Sequence, residues 1–309
     1  MKQIYDYIVS SYYHLYSNYY GWNKILSPFR LTTRALANII IPICLKHTRN
    51  CFTNKKINNR RIIVSLTSFP ARIEYVYLAI KALFYQNTLP DKIILWLSIN
   101  QFPNKQVPTR LSCLQNDIFE IRFVDDDIKS HKKYYYAFKE FPNDYVILID
   151  DDIYYDTKLI EDLLIAARNN EHAIICRYGS ILSYGKSDQL QPFNNRIQVE
   201  GWSTSQNFFL GTGGGTLFIP SLLCKDCTNK DLFMKLTPLA DDIWLNAMVR
   251  LSNLKIVKIQ GGLLLPIKIN NNITLCSTNL EKDYNDVQIC NVINWYTKTF
   301  DINPFKKRN

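Results

Sequence analysis

Three consecutive carboxylates, Asp150-Asp151-Asp152, end an aliphatic run, Tyr145–Ile149. Five apolar residues bounded by polar ones have the form of a strand buried on both faces of a parallel sheet. Ligands of open α/β sheets sit beyond the carboxyl ends of such strands. Acids crowded there repel one another, and hard oxygen ligands of this kind suit Mg²⁺ or Mn²⁺ shared with a phosphate. A second acidic group, Asp125-Asp126-Asp127, ends the preceding apolar stretch Glu120–Val124. Adjacent parallel strands ~4.8 Å apart would bring the two groups close together. Arg72, Lys129, Lys132 and Lys133 are the positive charges expected to balance them and to meet phosphate oxygens. The chemistry this set predicts is binding of a metal and a diphosphate. Asp clusters at strand ends also cap turns and the helices that follow, and the acids alone do not separate the two explanations.

A third acidic group, Asp241-Asp242, opens a helical pattern in which Trp244, Ala247, Met248 and Leu251 share one face. The positive end of a helix favours the ionised carboxylate by ~0.3–1 kcal/mol, and an ionised acid held there can take a proton from an attacking hydroxyl. Simple capping, with Asp241 at the N-cap and Asp242 in the first turn, explains the same pair. The cluster Gly211-Thr212-Gly213-Gly214-Gly215 permits close backbone approach. It has neither the G-x-x-x-x-G-K-[ST] pattern of a phosphate loop nor a G-x-G-x-x-G after a first strand. It reads either as the lining of a donor or acceptor pocket or as a tight turn.

These groups must be positioned by alternating strands and helices. Ile62–Thr67, Lys92–Leu97, Glu120–Val124, Tyr145–Ile149, Ala173–Cys176 and Thr216–Ile219 read as strands. Helical spacing appears from about Ile73, over residues 131–141, and at Ile160, Leu163, Leu164 and Ala167, the last capped by Asp156 or Thr157. Such alternation predicts an α/β fold with a Rossmann-like, mainly parallel central sheet. The polar and aromatic stretch 183–210 reads as a mobile loop beside a site, and the Asn-rich tail from about residue 270 has no clear pattern.

Charge and cysteine usage narrow the setting. Of the net +10, residues 1–61 hold ten Lys or Arg against the single acid Asp6, which leaves 27 basic and 26 acidic residues in a near-neutral body. Residues 1–20 add a tyrosine-rich stripe at helical spacing, through Tyr5, Tyr12, Tyr16 and Tyr19. Tyrosine suits a lipid headgroup layer, and anionic lipid attracts nearby basic residues by ~1 kcal/mol each. A peripheral contact with an anionic membrane surface and a helical arm packed on its own domain or on a second subunit are equal expectations. No nucleic-acid-binding motif accompanies the charge, so a nucleic-acid partner is not expected. The eight cysteines are dispersed, and Cys224-x-x-Cys227 has no second pair to complete a zinc site. With no signal peptide and no apolar run of spanning length, a reducing, cytoplasmic location is expected, with the inner face of the plasma membrane as its peripheral form.

The stretches VSLTSFPARI (64–73), PDKIILWLS (90–98), the acids at 125–127 with the lysines after them, VILIDDDIYY (146–155), FLGTGGGTLF (209–218) and ADDIWLNAM (240–248) together resemble bacterial glycosyltransferases of the family 2-like group, with the glycosyltransferase A-type fold. The resemblance covers roughly residues 61–260 and implies a catalytic domain over 61–270; by composition residues 1–60 read as a Tyr-rich basic helical extension, and 271–309 are left as a C-terminal extension. It implies that Asp150 and Asp152 form the Asp-x-Asp pair for Mn²⁺ or Mg²⁺. Thr67, Pro70 and Arg72 would border the nucleotide, with Asp150, Asp151, Lys132 and Lys133 on the donor side. Asp242 matches the general base, with Asp241 supporting it. Where many such enzymes carry an Asp after the second strand, this chain reads Leu97-Ser98-Ile99-Asn100, which leaves Asp125, Asp126 and Asp127 for that contact. The implied activity is inverting transfer of a sugar from a nucleotide-diphosphate donor to a glycan or glycolipid hydroxyl, in cell-surface polysaccharide or lipopolysaccharide synthesis. A sugar-nucleotide hydrolase or nucleotidyltransferase using the same acids, and a non-catalytic membrane-associated scaffold, are the competing expectations.

Overall fold

The computed structural model describes residues 1–15, 20–46, 60–199, 201–261, 264–269 and 284–308. Part of the basic segment (Arg49, Lys55, Lys56), Tyr16 and Tyr19, Cys51, Cys276 and much of the Asn-rich tail lie outside the described residues.

Among the described residues the centre is a seven-stranded sheet. Its parallel half is built from β1 (Ile62–Thr67), β2 (Lys92–Ser98), β3 (Phe119–Val124) and β4 (Tyr145–Ile149), in spatial order β3-β2-β1-β4. A two-residue strand, β5 (Ile153–Tyr154), follows the acids, and β6 (Ala173–Cys176) lies further out. Strands β7 (Gly179–Ile181), β8 (Ile197–Gln198) and β9 (Phe208–Leu210) precede β10 (Gly214–Phe218), which inserts antiparallel between β4 and β6. The chain then adds β11 (Lys255–Lys258) parallel to β6 at the edge, and β12 (Leu265–Pro266) against β5. The mixed α/β fold with a mainly parallel central sheet is the class expected from the sequence.

Helices α3 (Val76–Leu83), α5 (Lys132–Glu140), α6 (Leu159–Asn169) and α8 (Asp241–Leu251) cover the sheet, with the short α4 (Thr109–Ser112) and α7 (Lys230–Leu236) between them. The near-continuous burial of β1, β2 and β4 follows from helices packing on both faces. Ile63, Ile94 and Val146 enter one core layer and Val64, Ile93 and Ile147 the other, as the two-residue period of a strand requires.

Four sequence expectations change. The α6 N-cap is Lys158, because the Asp156 carboxylate is drawn into a buried ion pair with Arg177 while one oxygen accepts from the Lys158 amide at 2.8 Å. Residues 183–210 are not one long loop: β8-β7-β9 form a small antiparallel sheet. The last segment contains a regular helix, α9 (Tyr284–Phe300), packed on α7 and α8 through Ile289, Val292 and Tyr296. The tyrosine stripe of α1 (Lys2–Tyr13) faces inward: Tyr5, Val9 and Tyr12 are buried with Ala37, Ile41 and Cys44 of α2 (Tyr20–Lys46) and Ala79 of α3. Tyr5 also donates a 2.5 Å hydrogen bond to the Tyr155 carbonyl. Of the two expectations for this arm, α1 follows packing on the protein.

Candidate active site

The parallel strands β1 and β4 end side by side, in register from Ile62 opposite Tyr145. Their ends therefore deliver Thr67-Ser68 and Asp150–Asp152 to the same edge. The turn after β1 is tightened by the Arg72 amide donating to the Phe69 carbonyl at 2.9 Å, with Pro70 inside it. That turn swings the Arg72 guanidinium to Asp151 at 2.8 Å and Asp152 at 2.9 Å. Ser68 Oγ donates to the other Asp151 oxygen at 2.5 Å, and Asp151 is buried. Thr67 Oγ1 donates to the Trp96 carbonyl at 2.8 Å, bracing the ends of β1 and β2.

Successive residues of a helix point about 100° apart. At the start of α5, Lys132 accordingly reaches Asp127 at 2.8 Å, while Lys133 reaches Asp150 and Asp241, each at 2.9 Å. Ser65 Oγ donates to the Lys133 carbonyl and fixes this turn against β1. Asp241 and Asp242 do not cap α8: the N-cap is Ala240, without a side-chain cap bond. Their carboxylates turn instead to Thr212, whose amide donates to Asp242 at 2.8 Å. The Thr212 hydroxyl lies against Asp242 and 2.8 Å from Asp241, and with one proton it can donate to only one of them at a time. Gly213 lets Asp150 lie against the turn: a Cβ there would meet Asp150 Oδ2 at 1.7 Å and displace that carboxylate.

These groups line one cavity of about 680 Å³. Asp150, Asp151, Asp152, Asp241, Asp242, Thr67, Arg72, Lys132 and Lys133 all reach it. Pro70 and Asp125 to Asp127 are not among its walls. Asp127 is held by Lys129 at 2.5 Å and Lys132, and Asp126 by Lys230 at 2.9 Å. The Asp125 carbonyl accepts from Asn100 at 3.0 Å, so the segment after β2 is tied to the acidic turn. Gln101, from the same segment, lines the cavity and donates to Asp127 at 3.1 Å. Ser68 and Gln101 are site groups that no sequence signal selected, and Thr212 was noted only as part of the glycine cluster. The position of Thr212 within the glycine cluster, preceding a strand, is the one local signal that pointed toward it.

Electrostatically, the acids separate into two kinds. Burial opposes ionisation of Asp241, but Lys133 and then His131 outweigh it and hold the carboxyl well below the usual range. Burial, then the charge of Asp241, pushes Asp242 up to about 6. Burial, then Asp151, pushes Asp152 up to about 7 despite Arg72. Lys133 is itself penalised by burial, yet Asp150, Asp241 and Asp242 raise its pKa and keep it a cation. His131 is buried and held down to about 4, so it is neutral at physiological pH, with its Nε2 2.7 Å from the Thr237 carbonyl.

The donor set suits a divalent cation in kind. Asp152 borders the cavity as a carboxylate that Arg72 only partly compensates, which is the local charge an added cation would relieve. No group of three or more His, Cys, Asp or Glu side chains among the described residues is arranged to hold a metal alone. Mg²⁺ does not need one, since it commonly binds through one or two carboxylates plus substrate phosphates. Asp150 and Asp152 both border the cavity.

No family model and no curated protein matches the chain. Among solved structures, it is similar to the 4-diphosphocytidyl-2C-methyl-D-erythritol synthase of Anaerococcus prevotii, 13% identical with a TM-score of 0.45, over 74% of this chain and 99% of that one. It is also similar to S. aureus TarS residues 1–349 in complex with UDP-GlcNAc, 12% identical with a TM-score of 0.49, over 76% and 67%. HddC from Yersinia pseudotuberculosis, complexed with GMP-PN, is 13% identical with a TM-score of 0.33, over 52% and 78%. At such identities these are likenesses of general chain path.

Proposed function

We propose that this protein is a glycosyltransferase that moves a sugar from a nucleotide-diphosphate donor to a hydroxyl of a glycan or glycolipid acceptor. The observation that carries the reading is the chain Asp150–Lys133–Asp241 beside Asp242, in which one buried lysine joins the donor-side acids to a pair of carboxylates with opposed pKa values. Pairs of acids driven apart in this way mark acid–base assignments.

Asp242 is the general base. With a pKa near 6 it is mostly ionised at neutral pH yet basic enough to accept the acceptor proton. The acceptor oxygen forms its bond to the anomeric carbon as the bond to the diphosphate oxygen breaks, and the electron pair leaves with the nucleoside diphosphate. In-line attack of this kind inverts the anomeric centre. Asp241 and Thr212 position Asp242. Arg72 and Lys132 border the diphosphate side, with Thr67 at the nucleotide edge. Mg²⁺ or Mn²⁺ held by Asp150 and Asp152 would supply charge neutralisation for the diphosphate.

The test is to incubate the full chain with nucleotide sugars and Mn²⁺, with and without candidate acceptors, and to follow nucleotide release and the anomeric configuration of the product. Transfer with inversion, lost in Asp242→Asn, is the expected result. Retention of configuration would refute the mechanism. Free sugar or sugar phosphate formed equally well without acceptor would make the protein a hydrolase.

A further inference from the structure

Helix α2 has two apolar faces, and the protein uses one. Ala37, Ile41, Cys44 and Leu45 are buried among α1, α3 and β12. On the far side Ile25, Phe29, Leu36, Ile40 and Ile43, with Ile39 beside them, are 37–64% exposed. Their spacing of i, i+4, i+11, i+15 and i+18 places them within one sector of roughly 100°, in a stripe ~27 Å long. A helix resting on its own domain needs one such face, and a second one, broken only at Thr32, marks an interaction surface.

The charge around the stripe selects its partner. The α2 sequence carries no acid; of its four cations Arg30 and Arg34 lie on the α1 side, near Tyr12, which leaves Lys24 and Lys46 beside the stripe. Lys24 and Lys46 are exposed at its two ends. A second copy of the chain laid on the stripe would bring lysines against lysines. An anionic bilayer surface meets both features, taking apolar side chains to the depth of the acyl boundary and cations at the headgroups. No described helix is long and apolar enough to cross a membrane.

We infer that α2 is an in-plane anchor that binds an anionic lipid surface through the Ile25–Ile43 stripe. This places the contact on a different element from the tyrosine stripe of α1, which is in the core. The anchor is tied to the domain directly, and to the cavity through α1. Asn38 joins α2 to the Pro266 carbonyl at 3.1 Å and the Lys268 amide at 2.6 Å. Tyr5 holds the Tyr155 carbonyl, and the Tyr155 hydroxyl accepts from the Asp150 amide at 2.8 Å. Lipid binding stands independently of the transferase reading. If that reading also holds, the anchored cavity addresses an acceptor carried in the membrane.

The experiment is flotation of the full chain with vesicles of phosphatidylcholine containing 30% phosphatidylglycerol, and with phosphatidylcholine alone, at two salt concentrations. The anionic vesicles should carry the protein in a salt-sensitive manner. Leu36→Asp with Ile40→Asp should reduce partition at least roughly tenfold while the melting temperature stays unchanged. Lys24→Gln and Lys46→Gln should each reduce it by about fivefold, and these variants decide the matter if the Asp pair folds poorly. No binding to anionic vesicles would overturn the inference, as would equal binding by the wild type and the Asp pair. A concentration-dependent dimer abolished by the Asp pair would also overturn it, assigning the stripe to a second copy. Nucleotide-induced thermal stabilisation, measured on the same proteins, separates these outcomes from failure of the donor site.

Discussion

Replacing Lys133 with Met tests how five acids coexist in one cavity. The ammonium is 5% exposed and lies 2.9 Å from both Asp150 and Asp241, whose side chains are 39% and 9% exposed. Breaking a buried ion pair by deleting one partner costs about 3–5 kcal/mol, because the other charge is left buried. Asp150 can turn to solvent and the Thr212 hydroxyl still reaches Asp241, so the lower half of that range applies, about 3–4 kcal/mol. At about 2 °C per kcal/mol for a chain of this size, melting should fall by about 6–8 °C at pH 7.5. In the wild type Asp241 is depressed, so its stabilisation is present above an unfolded value of ~3.9 and is lost only as pH falls through the folded one. In Lys133→Met that carboxyl becomes a raised one and takes up a proton more readily, so the gap between the two proteins should narrow from pH 7.5 to pH 5. Adding Asp241→Asn removes the stranded charge and should recover much of the loss. Circular-dichroism melts of the four proteins in this cycle give the answer. A single variant that melts within about 1 °C of the wild type, or a double variant no better than the single, would refute Lys133 as the shared counterion.

Three further outcomes are expected. Asp242→Asn should lower transfer by about 10²–10⁴-fold. It should also stabilise the protein at pH 8 by up to about 3 kcal/mol, because a carboxyl raised to about 6 favours the fold at low pH and that advantage is lost as pH rises from ~3.9 through 6; melts at pH 5 and pH 8 measure it. Asp152→Asn should abolish any Mn²⁺-dependent thermal shift with nucleotide, and should flatten the decline in wild-type stability between pH ~3.9 and about 7, since Asp152 is raised in the same sense. Tyr5→Phe removes the hydroxyl bonded to the Tyr155 carbonyl and should cost about 1 kcal/mol, against about 3–5 kcal/mol for Tyr5→Ala; urea titration distinguishes a core helix from a loose arm.

β1, β2, β4 and β6 were readable because each is a short, largely aliphatic run buried along its length and bounded by polar residues, whereas the parallel edge strand β11, with a lysine at each end, was not read. β1, β4 and β6 have the limits expected, and β2 and β3 differ by one residue. What escaped the pattern was structure whose stability is tertiary. β7, β8 and β9 are two or three residues long, too short for a two-residue period to register. Pro28 and Pro42 argue against a continuous α2, yet the helix runs through both. Thr32 Oγ1 donates to the Pro28 and Phe29 carbonyls, and the Ala37, Ile41 and Cys44 face is packed against the domain, so contacts beyond the backbone ladder hold it.

At the site the residue types were legible and their pairings were not. Asp241 and Asp242 have the statistics of a cap, and local rules give no reason for them to do anything else. What redirects them is the Thr212 turn, which is 29 residues earlier in sequence and faces α8 only because β10 returns antiparallel beside β4. The doublets Lys132-Lys133 and Asp241-Asp242 look redundant in a linear reading. On a helix, adjacent residues diverge by about 100°, so each doublet must split. Lys132 goes to the Asp127 turn and Lys133 to the junction of Asp150 with Asp241. Asp241 pairs with that lysine and stays ionised, while Asp242 feels the lysine more weakly than it feels burial and its negative neighbour, and is bonded by Thr212. A single carboxylate in this cavity would be either neutralised by Lys133 or raised by burial. The adjacent pair allows both states within one helical turn, which is what separates a structural acid from one able to accept a proton.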